Sequence, residues 1–79
     1  MRVQVRLYAS LRAYLPPPAP GAPTVVDVPD GATVGDLLQK LFIPHDEVKV
    51  VFVNGRTRPP EWVLQDGDEV GVFPPVGGG

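Results

Sequence analysis

Cysteine is absent from this 79-residue chain, and that removes three chemistries at once. No disulfide scaffold, thiol nucleophile or zinc–thiolate site can be built without it. Histidine is nearly absent as well, and a lone His45 cannot assemble a histidine-based metal site. Excess positive charge is lacking. Seven Lys and Arg stand against nine Asp and Glu, a net charge of −2, so the clustered basic residues of a nucleic-acid binder are missing. No apolar run approaches the roughly 20 residues that span a bilayer. Met1-Arg2 leads directly into alternating residues, not into an apolar leader, and the expected location is the cytoplasm.

Turn punctuation, by contrast, is abundant. Eleven Pro and nine Gly make up a quarter of the chain. Such a fraction without a repeat often accompanies disorder. The twenty-five Val, Leu, Ile and Phe residues argue the other way, because disordered chains hold few of these and carry high net charge. A folded domain of this length buries only about 60–65% of its unfolded surface, so one thin core is expected.

Residues 2–8 alternate, with Val3, Val5 and Leu7 on one face and Arg2, Gln4, Arg6 and Tyr8 on the other, as in a half-buried strand. Ser10 to Leu15 reads as a short helical turn that Pro16-Pro17-Pro18 stops. Pro16 to Pro23 is a loop, and the β-branched Thr24–Val28 segment is a second strand, antiparallel to the first. Thr33-Val34-Gly35-Asp36 is a capping box in acidic form, ahead of a helix whose apolar stripe is Val34, Leu37, Leu38 and Leu41. Ile43-Pro44 is expected to end that helix. Val48 to Val53 forms a strand, Asn54-Gly55 a hairpin turn, and Arg56 to Arg58 a short return strand. After the turn at Asp66-Gly67-Asp68, Glu69 to Phe73 alternates again, and Pro74-Pro75 ends the pairing.

The pattern predicts an α+β domain with one main helix packed on one face of a mixed sheet of four to five strands. Its simplest compact form is a β-grasp over residues 1–75, with the first and last strands side by side in the centre. Residues 76–79 form a Gly-rich tail.

Internal chemistry is sparse. Asp30, Asp66 and Asp68 are explained as turn formers, and Asp36 as a cap. Arg12, Arg56 and Arg58 read as solvated charges, His45 as an exposed loop residue, and Tyr8 and Trp62 as edge packing. What remains is the C-terminus, Gly77-Gly78-Gly79. Glycine has no Cβ, so this end is narrow enough to thread a slot and present its carboxylate to a reactive atom.

Taken together, the motifs resemble those of the MoaD/ThiS family of ubiquitin-like sulfur carriers. The resemblance spans nearly the whole chain. It runs through Val5-Arg6-Leu7-Tyr8-Ala9-Ser10-Leu11-Arg12, Thr33-Val34-Gly35-Asp36-Leu37-Leu38 and Val53-Asn54-Gly55. It continues in Leu64-Gln65-Asp66-Gly67-Asp68-Glu69-Val70 and ends in Phe73-Pro74-Pro75-Val76-Gly77-Gly78-Gly79. The resemblance implies a ubiquitin-like β-grasp fold. It also implies adenylation of the Gly79 carboxylate by an E1-like adenylyltransferase, which consumes ATP, and conversion to a thiocarboxylate by a sulfur donor, a sulfurtransferase. Gly77 and Gly78 would thread the partner's site. The acceptor implied first is the large subunit of molybdopterin synthase. Thiamine thiazole, cysteine or tRNA thiolation, conjugation to protein lysines, and a non-catalytic interaction module are the alternatives. No tightly bound cofactor and no metal are expected, and the chain is not catalytic alone.

Three features depart from the family pattern: the proline-rich 16–23 loop, the segment Pro59-Pro60-Glu61-Trp62, and Gly at position 77. Strand parity places the expected partner-binding face. Val3, Val5, Leu7, Val51, Val53, Val70 and Val72 point toward the helix, so Tyr8, Phe52 and Phe73 share the open face as an exposed aromatic patch.

Overall fold

A computed structural model describes residues 1–14 and 24–75. Strand β1 (Arg2–Leu7) alternates exposed and buried side chains without a break, as its sequence dictates. It pairs antiparallel with β2 (Thr24–Asp27) and parallel with β5 (Glu69–Phe73). Strand β3 (Val50–Val53) joins the other side of β5, and β4 (Arg56–Thr57) completes the sheet. The order is β2-β1-β5-β3-β4, so the first and last strands are central neighbours. Asn54 and Gly55, with φ of 52° and 84°, make the turn between β3 and β4. Positive φ at both central residues is what the right-handed twist of a two-residue hairpin demands, and Asn-Gly meets it at low cost.

Helix α1 (Val34–Lys40) lies on one face. Its Val34, Leu37 and Leu38 meet Val3, Val5, Leu7, Val51, Val53, Val70 and Val72 from the sheet, all buried. Leu11, Ile43 and Leu64 complete this core from the connecting segments. Each such side chain contributes about 1.5–3 kcal/mol on burial. A seven-residue helix is too short to persist alone, so this packing and its caps hold it.

The caps are unusually complete. The Thr33 hydroxyl accepts from the Asp36 N–H at 3.1 Å, and the Asp36 carboxylate accepts from the Thr33 N–H at 3.0 Å. The next two donors are met from across the chain: Val34 N–H reaches the Trp62 carbonyl at 3.0 Å, and Gly35 N–H the Pro60 carbonyl at 2.9 Å. Pro59-Pro60-Glu61-Trp62 is therefore the seat of the helix N-terminus. Gly35 matters here because a Cβ would lie 3.4 Å from the Pro60 carbonyl oxygen.

The structure corrects the sequence reading at six places. Strand β2 closes at Asp27, one residue before Val28, and β3 opens at Val50, not Val48, because the Val48 N–H still closes a 3-10 turn over His45–Glu47 by bonding the His45 carbonyl at 3.1 Å. Strand β1 closes at Leu7, although Tyr8 N–H still bonds the Val72 carbonyl at 3.2 Å. The turn after it is a 3-10 turn over Ala9–Tyr14 with Leu11 buried; Leu15 and the 16–23 loop lie outside the described residues. The return strand is only Arg56–Thr57. The helix ends at Leu41, not at Ile43-Pro44. Phe42 turns left-handed (φ 58°), its N–H bonds the Gln39 carbonyl, and Ile43 N–H bonds the Leu38 carbonyl, both at 3.0 Å. This is a Schellman closure with phenylalanine where glycine is usual.

Phe42 carries the backbone cost of that turn while its ring is 85% exposed. Phe42→Gly removes left-handed strain of about 1–2 kcal/mol, partly offset by the greater unfolded-state freedom of glycine. The expected outcome is a net gain of about 0.5–1 kcal/mol in urea unfolding. A loss of stability would show that the ring packs on the fold.

No helix among the described residues is long and apolar enough to cross a membrane.

Candidate functional site

The sheet face opposite α1 is formed by the outward residues of β1, β5 and β3. Register sets their neighbours: Arg6 lies beside Gly71, and Gly71 beside Phe52. The strand-interior glycine is the key to the surface. A Cβ at Gly71 would sit 3.4 Å from the Tyr8 ring and 3.6 Å from the Phe73 ring. With only hydrogen there, both rings settle over the β5 backbone.

The structure brings all three aromatics of the sequence reading together. Tyr8 and Phe73 stack with centroids 4.2 Å apart and planes 4° apart. Phe52 meets Phe73 edge-on at 5.4 Å and 80°. Such pairs contribute about 0.5–1.5 kcal/mol each beyond their burial. The patch is less exposed than expected. Tyr8 is 37% exposed and the two Phe residues are half-buried, because the rings cover one another. A shallow depression of about 380 Å³ opens there, with Arg6 and Glu69 among its charged lining and the aromatic cluster as its apolar part.

Parity alone could not decide the orientation of Phe52 within the apolar run 50–53. The buried Val51 and Val53 settle it on the open side. Gly71 was missed by sequence reasoning. Its signal was present: a glycine inside a strand marks a close approach of another group.

Behind this face, Asp68 was read only as a turn former, and the structure gives it a larger part. It is 6% exposed. Its carboxylate accepts from Asn54 Nδ2 at 2.8 Å and from Gln65 N–H at 2.7 Å. Asn54 Oδ1 in turn accepts from Glu69 N–H at 2.9 Å. This network ties the β3–β4 hairpin to the start of β5. Arg58 is likewise not a free surface charge. It is half-buried, with its guanidinium over the Trp62 ring at 4.9 Å. Arg56 and His45 are exposed, as expected, and the side chain of Arg12 is outside the described set.

The described chain leaves the patch at Phe73 and passes through Pro74 and Pro75. Gly77, Gly78 and Gly79 lie outside the described residues. Among the described residues no group of three His, Asp or Glu is placed to hold a metal ion. The face has the makings of a docking surface: an apolar centre, a charged rim, and a strand end that directs the chain onward.

Sheet order, the helix packed across one face and the aromatic open face together define a ubiquitin-like β-grasp protein. The chain belongs to the Mut7-C ubiquitin family, whose model matches residues 1–77. Among solved structures it is similar to SAMP1 from Haloferax volcanii, with 29% identity over the full length of both chains and a TM-score of 0.75. It is also similar to a candidate molybdopterin converting factor, subunit 1, from Pyrococcus furiosus. That match has 31% identity and a TM-score of 0.70, covering 95% of this chain and 98% of the other. A third match is a chain of the complex of subunits 1 and 2 of the molybdopterin-converting factor from Helicobacter pylori 26695. At 22% identity over the full length of both chains and a TM-score of 0.59, it bears on the fold alone.

Proposed function

We propose that this chain is a sulfur carrier for molybdopterin biosynthesis. The Gly79 carboxylate attacks the α-phosphorus of ATP on an E1-like adenylyltransferase, and pyrophosphate leaves. A persulfide on a sulfurtransferase attacks the acyl carbon and displaces AMP. A second thiol cleaves the resulting acyl disulfide and releases the thiocarboxylate. The carrier then docks on the large subunit of molybdopterin synthase through Tyr8, Phe52 and Phe73, with Gly77 and Gly78 threading the site.

The observation that carries this reading is the end-to-end similarity to the Pyrococcus furiosus candidate subunit. The aromatic face beside the exit of β5 supports it, since a partner seated there is within reach of the tail. The SAMP1 similarity favours a second reading, in which a lysine amine takes the activated Gly79 acyl group and the chain is a protein modifier. Delivery of sulfur to thiamine thiazole, cysteine or tRNA would use the same loaded tail.

Intact mass spectrometry tests the loading step. After incubation with ATP, the cognate adenylyltransferase and a sulfurtransferase, the chain is expected to gain the mass difference of one sulfur for one oxygen. Pyrophosphate release without that gain points to the modifier reading. Neither signal, with an enzyme active on another carrier, would overturn both.

The docking face gives a separate expectation. Phe73→Ala removes the ring that Tyr8 and Phe52 both touch. Affinity for the synthase large subunit is expected to fall by about 2 kcal/mol, roughly 30-fold, as for a central aromatic anchor. The stability loss should be about 2–3 kcal/mol, because both ring pairs and half of the ring's burial go with it. Unchanged affinity by calorimetry would move the interface elsewhere.

A further inference from the structure

Several cations of this chain are committed by the fold. Arg2 Nε donates to the Asp27 carboxylate at 3.0 Å, and Lys40 Nζ donates to the Asp27 carbonyl. Arg56 and Arg58, at the β4 edge of the sheet, are not. Neither side chain has an ion pair or a hydrogen bond to a described residue. Arg56 is exposed. Arg58 is half-buried, and its Nε is buried without a hydrogen-bond partner, a costly state for a charged donor. Its mount is rigid. Arg58 N–H bonds the Val51 carbonyl at 2.9 Å, and the Trp62 ring beneath the guanidinium belongs to a residue whose N–H bonds the Pro59 carbonyl at 3.0 Å. Glu61 stands next to Trp62 yet forms no ion pair with Arg58.

Register puts both guanidinium groups on one side of the edge. Arg56 pairs with Val53 and Thr57 with Phe52, so Arg56 and Arg58 share the side opposite Phe52. The Arg58 N–H points inward to β3, so by the alternation of an antiparallel ladder the Thr57 N–H and carbonyl point outward, away from the sheet. One open backbone pair thus lies between two unpaired cations, on an edge continuous with the aromatic face through Thr57 and Phe52.

We propose that this edge binds an acidic, extended segment of a protein partner. The segment adds as a strand beside β4, with Thr57 supplying the backbone bonds. Two carboxylates, two residues apart in the segment, stand opposite Arg56 and Arg58, since both strands repeat at about 6.4–6.8 Å per two residues. The complementarity is local: the chain is acidic overall, with a net charge of −2, but this edge offers positive charge that no described carboxylate neutralises. Trp62 holds the Arg58 fork in place, so little freedom is lost when a carboxylate accepts from it.

The probe is the peptide acetyl-Val-Asp-Val-Asp-Val-amide, titrated into the nitrogen-15-labelled full chain at low ionic strength. Affinity is read from backbone amide shifts, and Trp62, the sole tryptophan, reports by its fluorescence. The Thr57 amide is expected to shift and to gain protection from hydrogen exchange, and the affinity to fall as salt is added. Arg58→Gln should weaken binding about tenfold. Arg56→Gln, at an exposed position with no structural partner, should weaken it about two- to fivefold. A circular-dichroism melt checks that both variants fold. No shift up to about 5 mM peptide, where a Kd of about 1 mM would show, overturns the proposal. So does equal binding of acetyl-Val-Asn-Val-Asn-Val-amide, or unchanged affinity in the Arg56 variant. Inorganic phosphate producing the same Trp62 response at the same concentration, with no Thr57 protection in either titration, would reduce the edge to a small-anion site and overturn strand addition.

Discussion

Asp68→Ala is expected to destabilise the domain by about 3 kcal/mol, since hydrogen bonds to a charged group each contribute about 1.5–3 kcal/mol. The carboxylate is almost wholly buried, and each oxygen has a different partner, Asn54 Nδ2 and Gln65 N–H. Alanine removes both acceptors and leaves two donors facing a methyl group in a half-buried site. For a domain of this size each kcal/mol moves the midpoint by about 4–8 °C, so a fall of roughly 12–24 °C is expected in a thermal melt. Asp68→Asn should cost about half as much, because its oxygen still serves one donor while its NH₂ opposes the other. Asp66→Ala is the control: that carboxylate is exposed and accepts a single bond, from Arg2 N–H at 2.8 Å. Equal effects at 66 and 68 would show that burial of Asp68 does not set its contribution. The loss also reaches the docking face. Asn54, which closes the hairpin that carries Phe52, loses its side-chain donor bond and is held to β5 only through Glu69.

The contrast between Asp66 and Asp68 shows how far the sequence could be read. Both looked like turn residues, and both are in a turn. What separates them is that Gln65, Asn54 and the start of β5 converge on one and not the other, fourteen residues apart in the case of Asn54. Local chemistry was legible wherever its partners were close in sequence. The Thr33–Asp36 capping box, the Asn54-Gly55 turn and the alternation of β1 are all contained within a few residues. The open aromatic face was legible for a related reason. Parity within each strand is a local property, and placing β1 beside β5 made Tyr8 and Phe73 neighbours.

The misses are contacts at long range or choices of backbone. Pro59 to Trp62 read only as a departure from the family pattern because its work is to offer carbonyls to a helix some twenty-five residues earlier. Gly71 passed unremarked because the rings it admits come from Tyr8 and from Phe73. The helix end was misplaced because Ile43-Pro44 carried a standard stop signal, while Phe42, with none, adopted the left-handed closure. Burial of Ile43 decides that case. Continuing the helix would have carried Ile43 away from the core cluster it joins.

Removing Gly79, or adding one residue after it, is expected to abolish activation while leaving the melting midpoint unchanged. Among the described residues the buried core ends at Val72, and the last backbone bonds of β5 involve Phe73. The effect on chemistry is geometric. One residue of extended chain spans about 3.3–3.6 Å, so a shortened or lengthened tail places its carboxylate that far from the phosphorus it must attack. Displacements of about 1 Å already cost on the order of 10²-fold in rate, so pyrophosphate release should fall to background. Gly78→Val tests the width of the slot separately from the length of the tail. It leaves the carboxylate in register but adds a branched side chain, and release should fall in the same way. If the shortened chain is activated normally, the reacting carboxylate is not that of Gly79. If it melts earlier and cooperatively, the tail is part of the fold, and the division of the chain into a domain over 1–75 and a tail over 76–79 fails with it.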